Sequence, residues 1–290
     1  LIFDAPVPFE EAIKSLMSRK LMPTTWGTEE LRTLSTDVRK MSLFSARTIS
    51  LDYLGEMQGV VKDMLSGKIN EATGRQRLQT VQDELGYTPE KGYGMNEAPP
   101  AAPGSLRDLS SDRRVKLVIQ TNTRIAANTA FMAAGQSDAA LYQYPCWELV
   151  RIYPRSVPRG MKQTKAGIEE DPENSWPARF EAAGGELIDG RMIAPKDSEV
   201  WSRLGDSELF PDGTDSDAPP YAFGSGMGLR GVPRAECIAL NVIDGDETPA
   251  PQTPSLGGNV LIDKTNSTLA DLKATREELL AIARETMGGV

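Results

Sequence analysis

Apolar positions in the first half of the chain recur at helical spacing. After Pro8, FEEAIKSLMSRK places Phe9, Ala12, Ile13, Leu16 and Met17 on one face, which predicts a helix. STDVRKMSLF follows a Ser35/Thr36 cap signal and reads as a second helix. In SLDYLGEMQGVVKDMLSG, Leu54, Met57, Val60, Val61, Met64 and Leu65 form one stripe, and Gly67 suits the position just past the end. Asn70 caps EATGRQRLQTVQDELGY, with Ala72, Leu78, Val81 and Leu85 expected inward and Gly86 as the stop. The few residues between these two segments predict an antiparallel helical hairpin. Met at helical spacing reads as core filler before it reads as a binding surface.

Residues 86–109 are rich in Gly and Pro, have no period, and predict a long arm or loop. Ser110-Ser111-Asp112 then opens the longest helix. Its inner stripe is Val115, Val118/Ile119, Asn122, Ile125/Ala126, Thr129 and Met132/Ala133. Asn122 and Thr129 need partners at near-core positions, either as ties to neighbouring loops or as part of a site.

Past Gln136 the period changes. CWELVRIYP alternates as a strand, GGELIDGRMIAP reads as a hairpin turning at Asp189-Gly190, and RAECIALNVI reads as a third strand. The fold class expected is α+β: a helical N-terminal half and a long central helix packed on a small, mostly antiparallel sheet with long Gly/Pro-rich loops. Pro249, Pro251 and Pro254 stiffen a linker, DGDETPAPQTPSLGG, before a tethered C-terminal helix near Ser267–Met287. The segments are thus 1–85 helical, 86–109 extended, 110–243 α+β, 244–265 linker and 266–290 terminal helix.

Composition narrows the chemistry. The chain of 290 residues has no histidine, which removes His-based acid–base catalysis, Ser-His-Asp and Cys-His relays, and His-ligated zinc. Carboxylate pairs, a Ser-Lys dyad and oxygen-ligated metals remain open. With 32 Lys and Arg against 41 Asp and Glu, the net charge is −9, which disfavours a general nucleic-acid coat. No apolar run approaches the roughly 20 residues of a membrane span. Leu1 in place of an initiator Met leads to the expectation that the sequence begins inside a longer product. Cys146 and Cys237 are too few for a disulfide framework; they read as buried thiols, with a bridge between adjacent strands as the alternative.

Several constellations carry candidate chemistry. Asp206, Glu208, Asp212, Asp215 and Asp217 crowd an acidic loop that lacks EF-hand order, so a solvated turn is expected ahead of Ca²⁺ binding. GSGMGLRG lacks the Lys-Ser/Thr ending of a P-loop. Gly224 and Gly226 are therefore expected to allow a sharp turn or close contact with a partner. Arg151, Arg155, Arg159, Lys162 and Lys165 fall within fifteen residues, the one locally dense positive run, and are candidates for nucleic-acid contact unless paired to carboxylates. Leu272, Leu279 and Leu280 line one side of the terminal helix and are candidates for docking a partner or a second copy of the chain. No catalytic residue, metal ligand or cofactor is assigned.

The order of segments in the second half resembles the phage head morphogenesis, or minor head protein, family typified by the F protein of phage Mu. The elements are Thr123/Ala130/Gly135, Pro145/Trp147, Asp189/Gly190/Arg191, Pro195/Asp197/Trp201 and Pro219/Pro220/Gly224, spread over residues 110–243. Many relatives carry a histidine and a Cys-rich ending that hint at metal; this chain has neither. The resemblance implies a minor virion protein made in the host cytoplasm and acting at the portal vertex. Portal or major capsid protein would be its partner, and packaged double-stranded DNA a further contact. Two rival readings stay open. One is a hydrolase or transferase using carboxylates such as Glu148, Asp189 or Asp197; the other is a DNA-binding assembly factor.

Overall fold

The structure is a computed structural model that describes residues 10–34, 38–39, 42–88, 101–155, 157, 159–164 and 167–252. Leu272, Leu279, Leu280, Lys165, the terminal helix and residues 89–100 of the connection lie outside them. Of the described residues, those up to Ala127 belong to one compact unit and those from Asn128 to a second.

The first unit is built on helices. Helix α1 (Glu10–Met17) buries Ala12, Ser15 and Leu16 and leaves Met17 exposed. Strand β1 (Lys20–Leu21) precedes α2 (Thr28–Leu31) and pairs in parallel with β2 (Ser42–Leu43). That pairing corrects the end of the helix expected across STDVRKMSLF: Val38 and Arg39 are helical, whereas Ser42 and Leu43 are strand, both of them buried. Helix α3 (Leu51–Leu65) starts where Ser50 Oγ accepts the Tyr53 amide at 3.1 Å and stops before Gly67, whose φ is 72°. Leu54, Met57, Val60 and Val61 are fully buried, each worth about 1.5–3 kcal/mol of transfer.

Helix α4 (Glu71–Glu84) is capped by Asn70 Oδ1 accepting the Thr73 amide at 2.9 Å. Its inward face differs from the one expected. Gly74, Leu78 and Gln82 are buried, whereas Ala72 and Leu85 are exposed. A Cβ on Gly74 would lie 2.8 Å from Val60 Cγ1, so the missing side chain is what lets α4 approach α3. Gln82 points inward because its amide serves the Leu109 carbonyl and, at 3.3 Å, the Tyr53 hydroxyl.

Helix α5 (Asp112–Ala134) opens with Ser111 Oγ accepting the Arg114 amide at 3.1 Å and adds Val115, Val118 and Ile119 to the same core. A guanidinium in the first turn faces an unfavourable helix dipole. Arg114 compensates by donating to Ser45 Oγ, Ala46 O and Leu106 O at 2.6, 3.1 and 3.2 Å.

The second unit carries a four-stranded antiparallel sheet in the order β6-β7-β3-β8, formed by β3 (Cys146–Arg151), β6 (Leu187–Ile188), β7 (Arg191–Pro195) and β8 (Met227–Val232). Asp189 and Gly190 both have positive φ, 51° and 76°, the two-residue hairpin turn the sequence implies. Met132 from the end of α5 packs on Trp147 and Leu149, together with Trp176 and Phe180 of α7 (Trp176–Ala182) and Trp201 of α8 (Val200–Arg203). A short helix, α6 (Asp138–Gln143), leads into β3, and β4 (Met161–Gln163) and β5 (Ile168–Glu170) form a separate ribbon.

RAECIALNVI is a helix over its first six residues, α9 (Arg234–Ala239), and not the third strand expected. Cys237 is fully buried while its neighbour Ile238 is 39% exposed, and Pro233 closes the preceding strand. The missing strand is β8, which lies in the glycine-rich run. Gly231 sits there because a Cβ would come within 3.3 Å of Tyr144 Cβ. The first part of the expected linker lies against the unit: Arg234 donates to Gly245 O and Glu247 O at 3.0 and 2.8 Å. Asp197 Oδ2 accepts the Ala250 amide and Gln136 Oε1 the Gln252 amide, at 2.8 and 2.9 Å.

Candidate functional site

Two stretches that are distant in sequence meet in the second unit. The amides of Ile152 and Tyr153 both donate to Gly226 O, at 2.9 and 3.0 Å, and Arg151 Nη1 donates to Ser225 O at 3.1 Å. Gly226, with φ 71°, has no room for a Cβ, which would press on the Tyr153 carbonyl. Its close approach is therefore to this chain's own backbone. The start of the basic run and the glycine loop thus form one surface, on which Ile152, Tyr153 and Phe223 are 49, 44 and 47% exposed.

The basic run itself divides. Arg151, Arg155 and Lys162 are exposed. Arg159 turns inward, where it forms an ion pair with Asp212, donates to Asn174 Oδ1 at 3.3 Å and stacks on Trp176 at 5.3 Å. Arg179, which composition and spacing did not single out, completes the arrangement. It donates to Leu204 O twice, at 3.0 and 2.7 Å, and to Asp212 Oδ1 at 2.7 Å, with its guanidinium between Trp176 (5.2 Å) and Phe210 (4.0 Å). Burial pushes the Arg159 and Arg179 guanidiniums down, to about 10 and about 9, and in each a neighbouring arginine adds repulsion. The Asp212 carboxylate lies between them and pairs with both. Ser175 Oγ, accepting the Ala178 amide at 3.2 Å, starts the helix that carries both Trp176 and Arg179.

Asp212 therefore leaves the acidic loop for the arginines. Asp206 Oδ1 accepts the Glu208 amide and Asp215 Oδ1 the Ser207 amide, at 2.8 and 3.0 Å, so these carboxylates shape turns. Among the described residues no group of three or more Cys, Asp or Glu side chains is placed to hold a metal ion.

The other carboxylates considered for catalysis are also engaged. Glu148 accepts two bonds from Arg191, at 2.9 and 2.8 Å, and further bonds from Arg230, which hold its carboxyl below the usual range. Asp197 ties down Ala250, and Asp189 forms the hairpin turn. Cys146 and Cys237 are buried free thiols of one apolar cluster. Cys237 Sγ donates to Val232 O at 3.4 Å from a helix and not from an adjacent strand.

Residues that carry the resemblance to the head-protein family have packing roles here. A Cβ on Gly135 would lie 2.5 Å from the Trp147 ring, Pro195 O accepts Trp201 Nε1 at 2.8 Å, and Pro219 O accepts Asn128 Nδ2 at 3.1 Å. No helix among the described residues is long and apolar enough to cross a membrane. Comparison with known protein families, curated proteins and solved structures finds no match.

Proposed function

We propose that the chain is a minor structural protein of a tailed-phage head, acting in head assembly at or near the portal vertex through protein–protein contacts. The order of segments between residues 110 and 243 supports this reading. One observation carries it further: exposed Ile152, Tyr153 and Phe223 sit beside Arg151 on a surface fixed by the Gly226 contacts. Aromatic and aliphatic groups next to arginine are what protein interfaces enrich, and a surface held by backbone bonds loses little entropy on docking. The engagement of Glu148, Asp189 and Asp197 in internal contacts favours this over the carboxylate-enzyme reading.

The test mixes the purified chain with portal protein and, separately, with major capsid protein. A complex with either is expected. Replacing Ile152, Tyr153 and Phe223 together by Ser is expected to weaken it at least about tenfold, the scale of one or two interface anchors. No complex with either protein would sink the proposal. The stripe Leu272/Leu279/Leu280 is a second proposed contact, tested by deleting residues 266–290 and measuring incorporation into heads.

A further inference from the structure

Two arginines of the second unit, Arg159 and Arg179, share one carboxylate, that of Asp212. Arg159 and Arg179 both stack on Trp176, and each holds one oxygen of Asp212. Arg151 and Arg155 stand close enough to Arg159 to repel its charge. Neither of the two makes an ion pair among the described residues, and Arg151 also feels Arg155. Two guanidinium groups thus divide one carboxylate between them, in a chain whose carboxylates outnumber its cations by nine.

The hydrogen-bond inventory points the same way. Arg159 Nε and Trp176 Nε1 are buried donors without an acceptor. Each such donor costs about 1–3 kcal/mol, so two beside an excess of guanidinium groups describe a site short of acceptor oxygens. A phosphate group supplies what is missing. It brings three or four acceptor oxygens and negative charge, and guanidinium forks match its edges. A single aspartate brings two oxygens, and both are already taken.

We propose that Arg151, Arg155 and Arg159 form a phosphate-binding site in which Asp212 is the internal competitor, holding the guanidinium of Arg159 that a phosphate would otherwise take. Free phosphate and the phosphodiester backbone of duplex DNA share this chemistry. The site does not depend on the assembly role proposed above. Portal binding can fail while phosphate binding succeeds, and the reverse.

The experiment titrates the full chain calorimetrically with inorganic phosphate, and with acetate at matched ionic strength. A second arm titrates a short DNA duplex across a range of salt concentrations. Phosphate is expected to bind and acetate not. Arg155→Ala, at an exposed position, should weaken phosphate about tenfold, the loss of one charge-assisted contact. Asp212→Asn should do the opposite and tighten it several-fold, with circular dichroism confirming a folded protein. If that variant does not fold, Arg155→Ala and Arg151→Ala decide the matter. Duplex binding with a salt slope that Arg155→Ala reduces assigns the backbone as the source, whereas phosphate binding without duplex binding assigns the free anion. Three results overturn the proposal: phosphate heats equal to those of acetate, affinity unchanged in Arg155→Ala, or a folded Asp212→Asn that binds phosphate no more tightly.

Discussion

In the unit ending at Ala127, Leu54, Met57, Val60, Leu78 and Ile119 come from three helices and close on one another as one apolar core. In the unit that starts at Asn128, much of the backbone is irregular, and long cationic side chains reach into it. Arg179 serves Leu204 O, Lys196 serves Gly135 O and Ala140 O at 2.9 and 3.1 Å, and Arg234 serves Tyr142 O, Gly245 O and Glu247 O. The first unit is held by area and the second by a few side-chain donors that satisfy loop carbonyls. Buried carbonyls without partners are costly, so each cation does for a loop what a ladder does for a strand. The two regions should therefore fail differently.

The largest effect is expected from Arg179→Ala. It removes both donors to Leu204 O and the guanidinium stacked between Trp176 and Phe210, and should destabilise the second unit by about 3–5 kcal/mol, the sum of an unsatisfied buried carbonyl and two desolvated cation–π contacts. Leu54→Ala, at a fully buried position, should cost the first unit about 2–5 kcal/mol. Amide exchange separates them: each variant should raise exchange mainly in its own unit, and equal spread across both would break the contrast. Next comes Gly135→Ala, where the new methyl group meets the Trp147 ring; about 1–3 kcal/mol is expected, read from the denaturant midpoint.

The smallest effect sharpens the role of the cations through pH. Burial lowers the Lys196 amine from 10.5 to about 8. Between those values the unfolded chain binds more protons than the folded one, so this residue makes stability rise with pH over that window. A neutral amine still donates two hydrogens, so the two carbonyls stay served. Lys196→Met should flatten that rise by on the order of 1–2 kcal/mol while lowering stability at all pH values. An unchanged slope from pH 8 to 10.5 would remove Lys196 as its source.

This division also explains what could be read in advance. Helices α3 and α5 and the Asp189-Gly190 turn follow from period, caps and turn chemistry, which are local. The inward face of α4 departs from its apolar stripe because Gly74 and Gln82 are core residues only by virtue of their neighbours, Val60 and Leu109. Strand β8 was hidden by Gly228 and Gly231, whose lack of side chain makes room for others. Helix α9 reads as a strand in the sequence because six residues are too few to separate a period of 2 from 3.6. The basic run and the glycine loop were each visible, but their junction at Gly226 was not. Arg179 and Asp212 lie 33 residues apart, and no local pattern pairs them.

The clasp at the end of the second unit has a geometric consequence. The amides of Ala250 and Gln252 are bonded to side chains far back in the sequence, so the chain past position 252 starts from a fixed point. About ten residues that would otherwise swing from Ile243 add no reach, which at roughly 3.5 Å each withdraws some 35 Å from the radius anything downstream can sweep. A downstream docking element would thus be offered to a smaller volume at a higher local concentration.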